Sequence, residues 1–321
     1  MVFLYCLLAF ALCYVLVPPV IALSWRIGAV DVPCDWRRMH PESIPRAGGL
    51  AIYLAFALTC LAWGDRSPYL MCTLGGGVLL LLVGLADDIL CLSAGVKFFF
   101  QLSVAIACVL GCGIRDAENA FLAVLWVMTL TNAHNFVDGL DGLFSGCAAI
   151  EGGMLTLTFL VGGMLELAVP IIFLSLCCLA FRHYNRYPAQ IFAGDCGSGT
   201  VGFLLGMLSL PLLTASSADP SALSPLLIFA YPLTDLFTAV LRRILRGKSP
   251  FLADRGHLHH RIYAAGVTHP QCTGVLLTIS ASVGIVGVLV RYQNFWLAAS
   301  IASLAAAFLL IRIRQFIMDF A

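Results

Sequence analysis

A chain of 321 residues with 61% hydrophobic residues, 11% charged residues and a mean hydropathy of +0.97 carries too few solvating groups for a water-soluble globular domain. Its 18 Lys and Arg balance 17 Asp and Glu, for a formal net charge of +1, and no nucleic-acid partner is expected. The composition predicts an all-α polytopic membrane protein.

Stretches near the roughly 20 apolar residues needed to cross hydrocarbon recur eleven times. In chain order they are Met1–Leu23, Ala47–Trp63, Tyr69–Ala86, Phe98–Gly113, Ala120–Ala133, Leu143–Val161, Met164–Phe181, Gly199–Thr214, Leu223–Leu241, Thr273–Val290 and Phe295–Ile311. About eleven transmembrane helices are therefore predicted, in a single integral-membrane domain covering 1–321. The first stretch has no Lys or Arg before Arg26 and so lacks the basic n-region of a signal peptide. The thirteen cysteines lie mostly in apolar stretches without a C-x-x-C pair, and read as small packing residues.

Segments after odd-numbered spans carry 15 of the 18 basic residues, leaving only Arg66, Arg115 and Arg291 on the other side. By the positive-inside rule the N-terminus is outside and the C-terminus cytoplasmic. The seven histidines also fall on the cytoplasmic side or at its edge. The connections expected to carry chemistry are 24–46, 87–97, 134–142, 182–198 and 242–272, and all of them face the same way.

Asp87 and Asp88 end the third stretch, where a charge beside lipid is costly unless a cation compensates it. Adjacent carboxylates also push one another toward the protonated form, which makes one of them a candidate proton acceptor. A plain polar cap is the bland reading of the pair. In the run from Asn132 to Gly142, Asn132, Asn135, Asp138 and Asp141 recur every third position before glycines that favour a break. Four oxygen donors at a helix end suit Mg²⁺, which binds through one or two carboxylates plus substrate phosphates; an Asx-rich turn is the simpler alternative. Asp195 sits in a glycine-rich approach to the next span, whose N-terminal amides could meet a phosphate. Gly197, Gly199 and Gly202 match G-x-G-x-x-G but lack the strand that a dinucleotide site requires, and read as helix-packing glycines. The run from Asp254 to Arg261 gathers Arg255, His257, His259, His260 and Arg261, an anion site for a pyrophosphate more readily than a zinc site. Lipid headgroup anchoring explains the basic residues from Arg242 to Lys248 but not three histidines.

Together these clusters resemble the polyprenyl-phosphate N-acetylhexosamine-1-phosphate transferases, glycosyltransferase family 4, whose members begin peptidoglycan lipid, O-antigen, enterobacterial common antigen and teichoic acid linkage synthesis. The first motif is carried by Asp31, Pro33, Arg37, His40, Pro45, Arg46, Gly48 and Gly49. The resemblance implies that Asn135 and Asp195 hold Mg²⁺, with Mn²⁺ as an alternate. It implies that Asp87, Asp88 and Asp138 belong to the catalytic acids, that His257, His259 and His260 are catalytic, and that Arg46, Lys97, Asn132, Asp141, Phe192, Arg255 and Arg261 bind substrate, with Phe192 stacking on uracil and Asp141 contacting it. The His-x-His-His spacing is similar to the WecA/TagO-like branch, and differs from the three consecutive histidines of the MraY branch. That difference implies UDP-N-acetylglucosamine as donor in place of UDP-N-acetylmuramoyl-pentapeptide.

The implied reaction transfers N-acetylglucosamine 1-phosphate to undecaprenyl or another polyprenyl phosphate, releasing UMP at the cytoplasmic face of a bacterial inner membrane. Family members often form homodimers. A divalent-cation transporter is the competing class, and Glu151, inside the sixth stretch, is the only strong mid-span acid; a satisfied buried carboxyl is the expectation for it. A third reading is an inactive scaffold.

Overall fold

The computed structural model describes residues 1–33, 42–213, 223–249, 262, 266–294, 297, 298, 300 and 302. Its helices are α1 (Val2–Ile27), α2 (Gly49–Trp63), α3 (Pro68–Leu90), α4 (Ala94–Gly111), α5 (Ala117–Val137), α6 (Leu143–Val161), α7 (Leu165–Asn185), α8 (Asp195–Leu213), α9 (Ser224–Ile228), α10 (Ala230–Leu245) and α11 (His269–Arg291). Two two-residue strands, β1 (Val30–Asp31) and β2 (Ile44–Pro45), pair antiparallel between α1 and α2. Eight of these helices are long and apolar enough to cross a membrane, and α2 is a shorter apolar helix. The protein is an all-α, multi-pass membrane protein.

The first eight expected spans and the tenth each coincide with a helix. The ninth does not hold as one piece: Leu223–Leu241 breaks at Phe229 into α9 and α10. Pro232 has no N–H for the carbonyl of Ile228 and crowds it, so the helix restarts there. The eleventh expected span, Phe295–Ile311, falls largely outside the described residues.

Side-chain caps fix where several helices begin. Ser67 accepts from the Leu70 N–H ahead of Pro68, Ser93 from Val96, and Asp116 from Asn119, each satisfying a first-turn donor that the helix itself leaves free. A reciprocal Thr268–Gln271 box starts α11.

Helix α8 is the axis of the bundle, packed against α3, α5 and α2 and buried along nearly its whole length. Without a hydrophobic drive between helices in lipid, close backbone approach supplies the packing. Gly202 lies against the Leu130 carbonyl and His134, Gly206 against Val127, and Gly84 of α3 against the backbone of Cys196. A Cβ at Gly49 would collide with the backbone of Gly197. The glycine-rich run that begins α8 is thus a packing surface on three sides. The N-terminus of α8 is driven up against the ends of α2, α3 and α5.

Candidate active site

The acidic end of α3 is wired into α8. Asp88 Oδ1 accepts the Asp195 N–H at 3.0 Å and Asp88 Oδ2 accepts the Cys196 N–H at 3.0 Å, satisfying two of the free donors of the first turn. Arg46 Nη2 closes on Asp88 Oδ1 at 2.8 Å and on Asp195 Oδ1 at 3.4 Å, while Nη1 lies 3.7 Å from Asp31 Oδ1.

A short backbone ladder puts Arg46 there. Phe192 donates to the Pro45 carbonyl at 2.8 Å, Gly48 donates to Phe192 at 3.0 Å, and Gly49 donates to Ala193 at 3.0 Å. Gly194 follows with φ +73°, and a Cβ on it would strike the Arg46 carbonyl and crowd Asp88. That position needs glycine on both counts. Burial works against the Arg46 charge, but Asp88, Asp195 and Asp31 around it hold its pKa above the ordinary arginine value.

Asp87 faces elsewhere. Lys97, from the first turn of α4, places Nζ 2.8 Å from Asp87 Oδ2 and 2.6 Å from Asp195 Oδ2. The adjacent aspartates therefore have separate partners: Asp88 has both oxygens engaged by α8 and Arg46, whereas Asp87 shares one ammonium with Asp195.

Helix α5 ends at Val137, delivering Asn135 and Asp138 to the same place. Asn135 Nδ2 donates to Ser198 Oγ at 3.3 Å, one turn into α8. Burial and then the nearby Asp195 push the Asp138 carboxyl from its ordinary value of 3.8 up to about 7, against the pull of Arg46. Among the described residues Asp87, Asp88, Asp138 and Asp195 thus gather around the cations Arg46 and Lys97, with Asp31 beside Arg46. Among the described residues no three His, Cys, Asp or Glu side chains converge as a metal cage. The arrangement still fits Mg²⁺, which asks for one or two protein oxygens and otherwise water and phosphate.

The remaining expected residues separate. Asn132 leaves the acid cluster: its Nδ2 donates to the Met128 carbonyl at 2.8 Å and to Gln101 Oε1 at 3.3 Å. There it forms the polar end of an apolar groove of about 540 Å³ between α4 and α5. The groove starts at Phe98, next to Lys97, and reaches Leu110 and Phe121 at the far ends of the two helices. Twelve residues of helix make it about 18 Å long. Asp141 turns to the α7–α8 connection, its Oδ2 accepting the Ala189 N–H at 2.9 Å and its Oδ1 3.7 Å from His269 Nε2. Phe192 is half-buried on the backbone ladder beside Arg46. His257, His259, His260, Arg255 and Arg261, with Arg37 and His40 of the first motif, lie outside the described residues.

Three contributors escaped the sequence reading. Asn185, buried at the end of α7, accepts from the Gly142 N–H at 3.2 Å and from Ser145 Oγ at 2.8 Å and donates to the Ile191 carbonyl at 3.0 Å, so one amide holds both loops that flank the cluster. Ser198 meets Asn135. His134, adjacent to Asn135, donates or accepts through Nε2 with Glu151 Oε2 at 2.8 Å, both side chains fully buried. Glu151 is thus a partnered buried acid on that oxygen, as expected, although Oε1 has no hydrogen-bond partner among the described residues. Only Asn185 left a readable signal, a polar residue at the boundary of an apolar stretch.

Most of the chain resembles known proteins. It is 34% identical over 322 residues to the probable undecaprenyl-phosphate N-acetylglucosaminyl 1-phosphate transferase of Bacillus subtilis, an alignment covering 95% of this chain and 88% of the relative. Residues 70–212, from α3 to α8, match glycosyl transferase family 4. The chain belongs to that family. Two further relatives also align over most of the chain. One is the undecaprenyl-phosphate alpha-N-acetylglucosaminyl 1-phosphate transferase of Yersinia pestis, 29% identical with 87% of this chain and 82% of the relative covered. The other is the decaprenyl-phosphate N-acetylglucosaminephosphotransferase of Mycobacterium tuberculosis, 32% identical with 84% and 76% covered. The family match spans the elements that carry Asp87, Lys97, Asn135, Asp138 and Asp195, the residues that the fold brings together.

Proposed function

We propose that this chain, a glycosyl-1-phosphate transferase, moves N-acetylglucosamine 1-phosphate from UDP-N-acetylglucosamine to undecaprenyl or another polyprenyl phosphate, opening a cell-envelope glycan pathway. The observation that carries the proposal is the meeting of Asp87, Lys97, Asp138 and Asp195 at the mouth of an apolar groove. One end suits phosphates and the other suits an isoprenoid tail. A UDP-sugar is the donor, the acid cluster faces the cytoplasm, and the membrane is the bacterial inner membrane; the basic bias of 15 to 3 supports that orientation.

In the reaction an oxygen of the acceptor phosphate attacks the sugar-bearing phosphorus of the donor, and the bond to the UMP phosphate breaks. Asp195 and Asn135 would hold Mg²⁺, which supplies charge neutralisation to a diphosphate and its departing phosphate. Lys97, held between Asp87 and Asp195, would pair with a donor phosphate, and Arg46 keeps Asp88 and Asp195 in register. Asp87 is the acid left to orient the acceptor phosphate or take its proton, since both oxygens of Asp88 are engaged. Phosphoryl transfer depends mostly on such positioning. The groove along α4 and α5, with Asn132 and Gln101 at its polar end, takes the first isoprene units of the acceptor. Asp141 and Phe192 serve the uracil, and His257, His259, His260, Arg255 and Arg261 the diphosphate. The transporter reading fares worse, because the acids that gather, Asp87, Asp88 and Asp195, stand at helix ends beside Arg46 and Lys97 and not along the middle of the spans.

Asp195→Asn in the purified protein tests the metal assignment. Loss of Mg²⁺-dependent UMP release with normal membrane insertion is expected, and normal turnover would refute it.

A further inference from the structure

The ends of α3 and α4 far from the acid cluster bring three thiols together. Cys72 lies in the second turn of α3, and Cys108 and Cys112 lie one turn apart on one face of α4, Cys112 being its C-cap. The backbones are close here: a Cβ on Gly111 would sit 2.9 Å from Cys72 Sγ. Cys108 Sγ donates to the Cys72 carbonyl at 3.4 Å, and Cys112 Sγ lies 3.9 Å from the Tyr69 carbonyl, over the turn toward which the Cys72 side chain leans. Cys72 Sγ therefore lies against the residue that precedes Cys112, and Cys112 Sγ lies against the turn that precedes Cys72. Both are half-buried, whereas Cys108 is buried.

We propose that Cys72 and Cys112 are a modification site: a disulfide that staples the outer ends of the two helices whose inner ends hold Asp87 and Lys97. The proposal rests on the orientation given above, which puts this end of the bundle in the oxidising space outside the membrane. The bond forms by exchange with a disulfide-bearing oxidant there. The two thiols give up two protons and two electrons and join, and the oxidant's disulfide is reduced to two thiols.

The molecule supplies its own controls. Cys13 and Cys177 are also in contact across α1 and α7, with Cys13 Sγ 3.2 Å from the Cys177 carbonyl, but both are fully buried in the span and beyond the reach of an oxidant. Cys91, the exposed C-cap of α3 three residues past Asp88, lies at the acid end and reports which side that end faces.

The test uses the full-length protein in cells grown in air. Membranes are denatured in N-ethylmaleimide, reduced, and treated with the deuterated reagent before peptide mass spectrometry. Cys72 and Cys112 are expected to carry the heavy label almost wholly, with Cys13, Cys91, Cys108 and Cys177 light. The Cys112→Ser variant should turn Cys72 light while keeping UMP release. Light label at Cys72 and Cys112 in the unaltered protein overturns the disulfide, as does a linked peptide joining Cys72 to Cys108. Orientation is read separately with a membrane-impermeant maleimide on intact cells. Protection of Cys91 supports the orientation, and labelling of Cys91 overturns it whatever the state of the other two.

Discussion

Asp87 and Asp88 are neighbours in the chain whose carboxylates do different work: Asp88 caps the first turn of α8 at 3.0 Å through each oxygen, and Asp87 meets Lys97 at 2.8 Å. The split follows from geometry, because consecutive residues on a helix point about 100° apart. Asp88→Ala removes two backbone hydrogen bonds and the partner of Arg46 together. A stability loss of about 2–4 kcal/mol is expected from orphaned buried donors, seen as a lower unfolding midpoint in detergent. Asp87→Asn should leave that midpoint nearly unchanged while UMP release falls by roughly 10²-fold or more, the scale of a lost acid–base or positioning group.

Asp138 gives a pH signature. Its carboxyl, at about 7 in the folded protein against an ordinary 3.8, is protonated below neutrality, so its ionisation works against the fold between those two values. Stability without metal should decline as pH rises from about 4 to 7, and Mg²⁺ should bind more tightly across the same interval because the cation selects the ionised form. Thermal unfolding at several pH values, with and without Mg²⁺, measures both. Asp138→Asn should flatten both trends; an unchanged pH dependence in that variant would show another group to be responsible.

The pair His134 and Glu151 is expected to stabilise the fold through one buried hydrogen bond. His134 Nδ1 lies 2.9 Å from the Leu130 carbonyl, which can only accept, so Nδ1 carries hydrogen. Nε2 then either donates to an ionised Glu151 or accepts from a protonated one. Glu151→Leu leaves a buried imidazole without that partner and should cost about 3 kcal/mol or more. Glu151→Gln can still donate to Nε2 and should cost clearly less. Unfolding midpoints of the two variants check the order.

The groove predicts its own variant. Leu102→Trp, one turn along α4 from Phe98, would fill space lined by Met128 and Leu125. It should raise the KM for a long-chain polyprenyl phosphate several-fold while leaving the KM for the UDP-sugar unchanged. Equal effects on both would place the lipid elsewhere.

Most of the bundle was legible because lipid forces backbone hydrogen bonds into helices, and apolar length then marks where they run. The break at Phe229 was hidden because Pro232 is unremarkable in a lipid-spanning run; Pro170 and Pro211 sit inside intact helices. The three-residue rhythm of Asn132, Asn135, Asp138 and Asp141 suggested one ligand face. Its members instead diverge to Gln101, Ser198, the Asp195 cluster and Ala189, because α5 stops at Val137 and the last two leave the helix. The pairing of His134 with Glu151 spans two helices, and an apolar stretch with one acid in it names no partner.

Purified protein in detergent with undecaprenyl phosphate, Mg²⁺ and a panel of UDP-sugars, read by UMP formation, tests the central claim. The account predicts UMP with UDP-N-acetylglucosamine and loss of that signal on chelation of the metal. No UMP from any UDP-sugar, together with Mg²⁺ flux in proteoliposomes, would contradict it.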